Sequence, residues 1–384
     1  MTRTARVVNE FSALDERAWS LLDHQDNPFL SYAFLNALET AACVQPETGW
    51  QPHHLCLFEE EQLVACAPSY LKSHSHGEFV FDWSWADAYH RHGRAYYPKL
   101  LTAVPYSPVP GPRLLVQRGH KESEALQAEL IDLALTECDS LQLSSWHCNF
   151  TPELTLNIDQ SKILLPRNDW QFHWFNQGFS SFADFLSCLR SKKRKNIRRD
   201  RRMVEQAGIR FERKSGDQLS PVDLDFIMDC YQATFLDHGN HPALNRSFFE
   251  QLAVQLKQGL LTVMALQGNE PLAMSLYLVG GGRLYGRYWG CMKQFPGLHF
   301  ETAYHQGIEF CIDRGLDVFE PGAQGEHKIS RGFTPVRTYS YHHVRDEAFR
   351  TAIARYLEQE QGWMEDYRHQ LAARTPFRMD DGSE

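Results

Sequence analysis

The sequence predicts an α/β fold of mixed sheets, built as two successive units. Three observations lead there. Apolar runs of period two alternate with runs of helical period along the whole chain. The order strand, two helices, three antiparallel strands, helix, strand, helix or loop, strand occurs twice. The 384 residues, 43% hydrophobic, exceed what one core ordinarily organises. We place the division near Leu165, giving a first unit over 1–165 and a second over 166–384.

In the first half, Arg6 to Glu10 reads as a strand, and a helix started by Ser12 or Asp15 runs until Asn27-Pro28 breaks the pattern. Ser31 to Ala42 presents Phe34, Leu35, Leu38 and Ala42 on one helical face. Trp50 to Phe58, Gln62 to Leu71 and Glu78 to Trp83 read as a three-stranded meander. Its last strand leads into Asp82, Trp83, Trp85 and Asp87. These suit a cleft in which a carboxylate binds a substrate amine, and equally a helix start capped at Asp87 under tryptophans. The proline-rich Pro105 to Pro112 is an extended loop before strand Leu114 to Val116. Helix Glu122 to Cys138 and strand Leu141 to Trp146 close the half.

Trp170 to Phe175 is a strand near the division. Ser181 caps a helix whose apolar stripe is Phe182, Phe185, Leu186 and Leu189. A dense run of cations follows, Lys192-Lys193-Arg194-Lys195-Asn196-Ile197-Arg198-Arg199, ended by Gly208. It reads as a phosphate-binding helix or as a solvated face paired with acidic neighbours. Strand Ile209 to Glu212, a helix from Pro221 to Phe235 and another from Ser247 to Leu256 come next. Leu260 to Leu266, Pro271 to Val279 and Arg283 to Trp289 then form a second meander.

Composition narrows the function. A net charge of −9 excludes polyanion binding by the surface as a whole and leaves only local contacts. Nine cysteines without a CxxC pair point to reduced thiols rather than a disulfide framework or zinc knuckle. The histidine pairs lack partners at metal spacing, so no metal is expected. No apolar leader or bilayer-length stretch is present, and a soluble cytoplasmic protein is expected.

Glycines, aromatics and charges concentrate between Leu284 and Arg345. Strand Leu284 to Trp289 stops at Gly290, and Pro296-Gly297 precedes a helix from about Phe300 to Asp313, closed by Arg314-Gly315. Strand Asp317 to Glu320 then feeds a polar loop, Pro321-Gly322-Ala323-Gln324-Gly325-Glu326-His327-Lys328. A loop rich in acid, imidazole and amine at the carboxyl end of a strand is a default site for chemistry. Such chemistry needs a base to take up a proton and donors to stabilise a developing anion. Glu301, Glu320, Glu326 and His327 are the candidate bases; Arg287, Tyr288 and Lys328 are candidate donors or anion clamps, and Trp289 a substrate contact. Glu301 suits a dipole-stabilising helix acid as well as a base. Cys291 reads as an inert thiol more readily than as a nucleophile.

The motifs GRYWGC, PGLHFE and GAQGEHK followed by SRGF, with NPFLSYAFLNALE, VFDWSWADAY, QFHWFNQGFSSFADFL and KKRKNIRR upstream, resemble the peptidoglycan biosynthesis/recognition-type family, a FemAB-like branch of the GNAT acyltransferase superfamily. The resemblance spans nearly the whole chain and implies two tandem GNAT-like units. It also implies an acyl-CoA or aminoacyl-tRNA co-substrate rather than a tightly bound cofactor. The coenzyme A loop of such enzymes corresponds to Gln294-Phe295-Pro296-Gly297-Leu298-His299, with Gln294 and Gly297 at anchor positions and His299 departing from the pattern. The family's basic helix corresponds to Lys192, Arg194 and Arg198, which implies tRNA as a candidate partner. The expected activity is amide-forming acyl or aminoacyl transfer to an amine, a peptidoglycan precursor being one acceptor that the resemblance suggests. The competing expectation is a non-catalytic module that recognises such precursors or RNA.

Overall fold

A computed structural model describes residues 3–237, 239–322, 325–372 and 374–378. The chain forms two compact units: Met1–Trp170 with Arg337–Asp366, and Gln171–Val336 with Tyr367–Glu384. The sequence division near Leu165 runs the second unit to the end of the chain, whereas the compact first unit also contains Arg337–Asp366. The segment returns because strand Thr334–Val344 pairs through Tyr339–Val344 with Ser145–Thr151 of the first unit.

The first unit contains two sheets. Arg3–Val8, His54–Glu59, Gln62–Ala67 and Leu115–Val116 form one, in that order. The other includes Trp50–Pro52, Ser69–Lys72, Lys99–Thr102 and Ser145–Thr151. Each of two expected long strands is therefore divided. Pro52 and Pro68 supply no amide to a ladder, and the chain changes sheet beside them, with His53 donating to the Ser69 carbonyl at 2.8 Å. Helix Ser123–Ser140 packs Leu126, Leu130, Ile131, Ala134 and Cys138 against Leu100, Trp146 and Cys148. Burial of about 2 kcal/mol per large apolar side chain makes this face the anchor of the unit.

Two further expectations for this half are corrected. Glu78 to Trp83 is not a strand: Glu78 and Asp82 both turn inward to Lys99, and the Asp82 carbonyl accepts from Trp85 and Ala86 to open helix Trp83–Arg91. The helix start thus falls at Asp82, and Asp87 lies exposed within it. Leu141 to Leu143 is not strand but helix terminus, with Gln142 at φ 55° and the Leu141 and Leu143 amides returning to Glu137 and Cys138. The strand begins at Ser145 and runs to Thr151.

The second unit follows its sequence pattern closely. Ile209–Ser215, Leu260–Gln267, Glu270–Gly280 and Arg283–Cys291 are successive antiparallel neighbours. Val318–Glu320 lies parallel to Arg283–Cys291, with Tyr285 opposite Glu320, and its other edge pairs with Trp174 and Phe175. The Ser181 hydroxyl caps Phe182–Ser187, as expected, by accepting from the Asp184 amide. The basic segment is a helix, Ser191–Gln206, that buries Ile197 and Val204.

Each unit thus contains one parallel strand pair bridged by a helical crossover. In the first, Ser123–Ser140 joins Lys99–Thr102 to Ser145–Thr151. In the second, the helical run from Leu298 to Arg314 joins Arg283–Cys291 to Val318–Glu320.

Candidate functional site

The parallel pair of the second unit ends at Tyr285 and Glu320. Beyond it the strands part: one continues to Cys291, while the other enters the polar loop at Pro321. Gly286 lets them separate at close quarters, since a side chain there would meet the Pro321 backbone at 3.2 Å. Ala323 and Gln324 of the loop lie outside the described residues.

Glu320 is 5% exposed. One oxygen accepts from Arg283 at 2.7 Å, and the other has no hydrogen-bond partner among the described residues and lies 3.9 Å from His173 Nε2. Burial raises its carboxyl to about 7, with Arg283 opposing. Lys328, 2% exposed, donates to the Gly322 carbonyl at 2.7 Å, and burial lowers its amine to about 7. The Lys328 charge reaches His173, His299 and His327, helping burial to lower all three imidazoles, the first to about 3 and the second to about 4. An acid beside His173 and an amine on the Gly322 carbonyl, two residues further along, are thus both shifted toward neutrality.

An aromatic wall adjoins them. His327 Nε2 lies 3.0 Å from the Tyr304 hydroxyl, Arg331 stacks on Phe300 at 3.3 Å and donates to the His327 carbonyl, and His299 packs on Trp289. Tyr304 stands on a π-helical turn, Glu301–His305, between Leu298–Phe300 and Gln306–Arg314. Tyr277 donates to the Thr302 carbonyl. That bond competes for an acceptor of the regular ladder and favours the wider turn, a feature common at functional sites.

The other candidate residues are distributed as follows. Glu301 is 3% exposed and bonds His305 Nδ1 at 2.8 Å, Gln306 Nε2 at 3.0 Å and Arg201 at 3.2 Å. Burial opposes its ionisation, but these partners hold it below the usual carboxylate range. It shares no hydrogen bond with His327 among the described residues. The late helix turns Glu301 toward the basic helix, and Phe300 and Tyr304 toward His327. Glu326 is exposed and takes Tyr367 and Arg374 as partners. Tyr288 packs edge-on against Tyr231, with Arg287 over its ring at 5.2 Å. Cys291 is half-buried, and burial raises its thiol, opposing nucleophilic use. Gln294 is exposed. Gly297, at φ 85°, lies against the basic helix, where a Cβ would be 3.2 Å from the Asp200 carbonyl. The adjoining Leu298 amide is already bonded to Phe295.

On the basic helix, Lys192 and Arg198 are exposed, and Arg194 is half-buried, donating to the Ser187 and Leu189 carbonyls. Sequence reasoning missed His173, Arg283, Tyr304 and Arg331. Two of them had a signal, Arg331 inside SRGF next to the polar loop and His173 inside QFHWFNQGFSSFADFL.

The candidate substrate residues near Asp82 belong to the first unit and form a separate buried array. Lys99 donates to Ser75, Glu78 and Asp82, and Tyr96 donates to Asp82 at 2.6 Å. Burial opposes the Asp82 charge, but Lys99 and His147 hold it well below the carboxylate range. Trp85 is buried edge-on to His342 at 5.1 Å, whereas Trp83 is exposed and packs on His76. Asp82 and Trp85 thus serve the interior of this unit. The carboxyl end of its parallel pair is filled by Arg113, 1% exposed, which donates to carbonyls including those of Val109 and Asn149.

No curated protein matches the sequence. Among solved structures, FemX superposes with a TM-score of 0.53 at 10% identity, over 92% of this chain and 100% of FemX. The C-terminal domain of a putative lysylphosphatidylglycerol synthetase from Agrobacterium fabrum gives 0.52 at 11% identity, over 90% of this chain and 95% of that domain. L-PGS from Bacillus licheniformis gives 0.50 at 9% identity, over 84% and 95%. These likenesses establish the shared α/β fold. The family of peptidoglycan biosynthesis/recognition proteins, FemAB-like, matches residues 10–379, so the chain belongs to it.

Proposed function

We propose that this protein is an N-acyltransferase that joins an activated acyl or aminoacyl group to an amine, peptidoglycan precursors being the acceptors to which the family points, with the chemistry in the second unit. The observation that carries the reading is buried Glu320 beside His173 at the end of its strand, followed by a loop whose buried Lys328 is bonded to the Gly322 carbonyl. A buried carboxyl raised to about 7 and a buried amine lowered to about 7 stand where a parallel pair of strands opens. General acid–base chemistry is most effective when both groups change protonation near the working pH.

In this reading the acceptor amine attacks the carbonyl carbon of a thioester or ester donor, forming the C–N bond. Glu320 as carboxylate takes the amine proton. Protonated Lys328 faces the developing oxyanion and then gives a proton to the departing sulfur or oxygen as the C–S or C–O bond breaks. His327 and Tyr304 orient the acceptor. The donor is acyl-CoA or aminoacyl-tRNA.

The test is turnover. Purified protein is incubated with acyl-CoAs or charged tRNAs and a panel of amines, scoring free thiol or deacylated tRNA against amide product. Glu320→Gln and Lys328→Met each reduce the rate by on the order of 10²-fold or more. Binding without turnover across the panel would instead support a non-catalytic recognition module.

A further inference from the structure

The helix Ser191–Gln206 carries more positive charge than its surroundings neutralise. Lys192, Lys195, Arg198 and Arg202 are exposed and have no carboxylate partner among the described residues. Spacings of three and four residues bring them along one side of the helix over about 15 Å. The whole chain is at −9, so this is a local reversal of sign.

Beside the cations runs a groove of about 510 Å³. Arg198, Arg201 and Arg202 line it from the basic helix, and Phe182, Ala183 and Leu186 from the preceding one. Of its two acids, Glu309 is already paired with Arg201 at 2.7 Å, and the Arg201 guanidinium lies 4.4 Å over the Phe182 ring. The other acid, Glu205, forms no ion pair with Arg198 or Arg202 among the described residues, so these two cations are left to meet an external anion beside the apolar side chains.

That combination suits an amphiphile. Single-stranded RNA is held by exposed aromatic platforms, but the basic helix contains no aromatic residue. Base-paired RNA would meet the cations and leave the apolar slot unused. A phospholipid monolayer uses both, with headgroup phosphates on the cations and the upper acyl segment in the slot. Among the described residues no helix is long and apolar enough to cross a membrane, so the attachment proposed is peripheral.

We propose that this face docks on anionic phospholipid bilayers, the cations binding headgroup phosphate and the Phe182–Leu186 groove admitting acyl chain. The proposal does not depend on the transferase reading.

Vesicle co-sedimentation tests it, comparing phosphatidylcholine alone with phosphatidylcholine containing about 30 mol% phosphatidylglycerol, where each surface cation contributes about 1 kcal/mol. Wild-type protein sediments with the anionic vesicles only, and Arg198→Gln/Arg202→Gln lowers its partition about 30-fold. Because both side chains are exposed, the variant keeps the wild-type circular dichroism. Ala183→Trp adds a readout from the groove: its fluorescence, taken as the difference from wild type, shifts blue on anionic vesicles and is quenched by lipids brominated high on the chain. Equal sedimentation of wild type and double variant, an unquenched signal from the introduced indole, or release of bound protein by stoichiometric RNA duplex would each overturn the proposal, the last assigning the cations to nucleic acid.

Discussion

The buried carboxyl at the strand opening makes a quantitative prediction. Glu320 is folded with a carboxyl at about 7 against an ordinary 4.5. Its folded pKa lies above its unfolded one, so the folded state holds the proton more tightly. The stability this contributes is complete below the unfolded value and is lost as pH rises through about 7. The displacement is worth about 3 kcal/mol in total. Glu320→Gln keeps the shape and a partner for Arg283 but does not ionise, so it escapes the loss. Urea unfolding of both proteins at about pH 5 and about pH 8.5 should show the stability difference moving toward the glutamine variant by about 2–3 kcal/mol. Subtracting the two proteins removes the other titrating groups, including the similarly raised Glu78. A difference independent of pH would refute the reasoning, because Glu320 would then ionise as a solvated carboxylate and lose its fitness as a base near neutrality.

Four further outcomes follow from the same structure. Lys328→Met removes an amine whose folded pKa is lowered to about 7, so its stability relative to wild type should grow as pH falls from 10.5 to about 7 and then level off, as measured by the same unfolding series. Arg201→Met strips Glu301 of its cation in a buried site and should cost about 2–3 kcal/mol in unfolding free energy. Gly297→Ala combines a positive φ with contact on the Asp200 carbonyl, and a loss of about 1–2 kcal/mol is expected in thermal melts. Asp82→Asn leaves Lys99 with one carboxylate fewer in the first unit and should cost about 3 kcal/mol or more in urea unfolding; in the turnover assay of the proposed function, the surviving folded fraction should retain its rate.

Some of the site was legible in the sequence. Glycines and a proline around Glu326, His327 and Lys328 marked an ordered polar loop after a strand, and Glu320 was visible as the last residue of that strand. What separated Glu320 from Glu301 was not. Both are acids beside apolar positions. Glu301 was met by Arg201, His305 and Gln306, whereas Glu320 kept one oxygen without a partner among the described residues. Burial differs little between them, and the partners decide the chemistry. Of the Glu301 partners, Arg201 comes from far along the chain, as His173 and Arg283 do for Glu320.

Local pattern by itself determined the second unit's strands and helices, because period-two and period-3.6 burial is written into neighbouring residues. It also determined the Ser181 cap and the closure of the late helix at Gly315. Only the tertiary structure decided that Glu78 to Trp83 abandons a strand to meet Lys99, that proline-marked strands divide between two sheets, and that a returning segment, Arg337–Asp366, completes the first unit. The physical reason is range. Propensity and periodicity act over a few residues, whereas the desolvation of a charge is settled by whichever distant group folds against it.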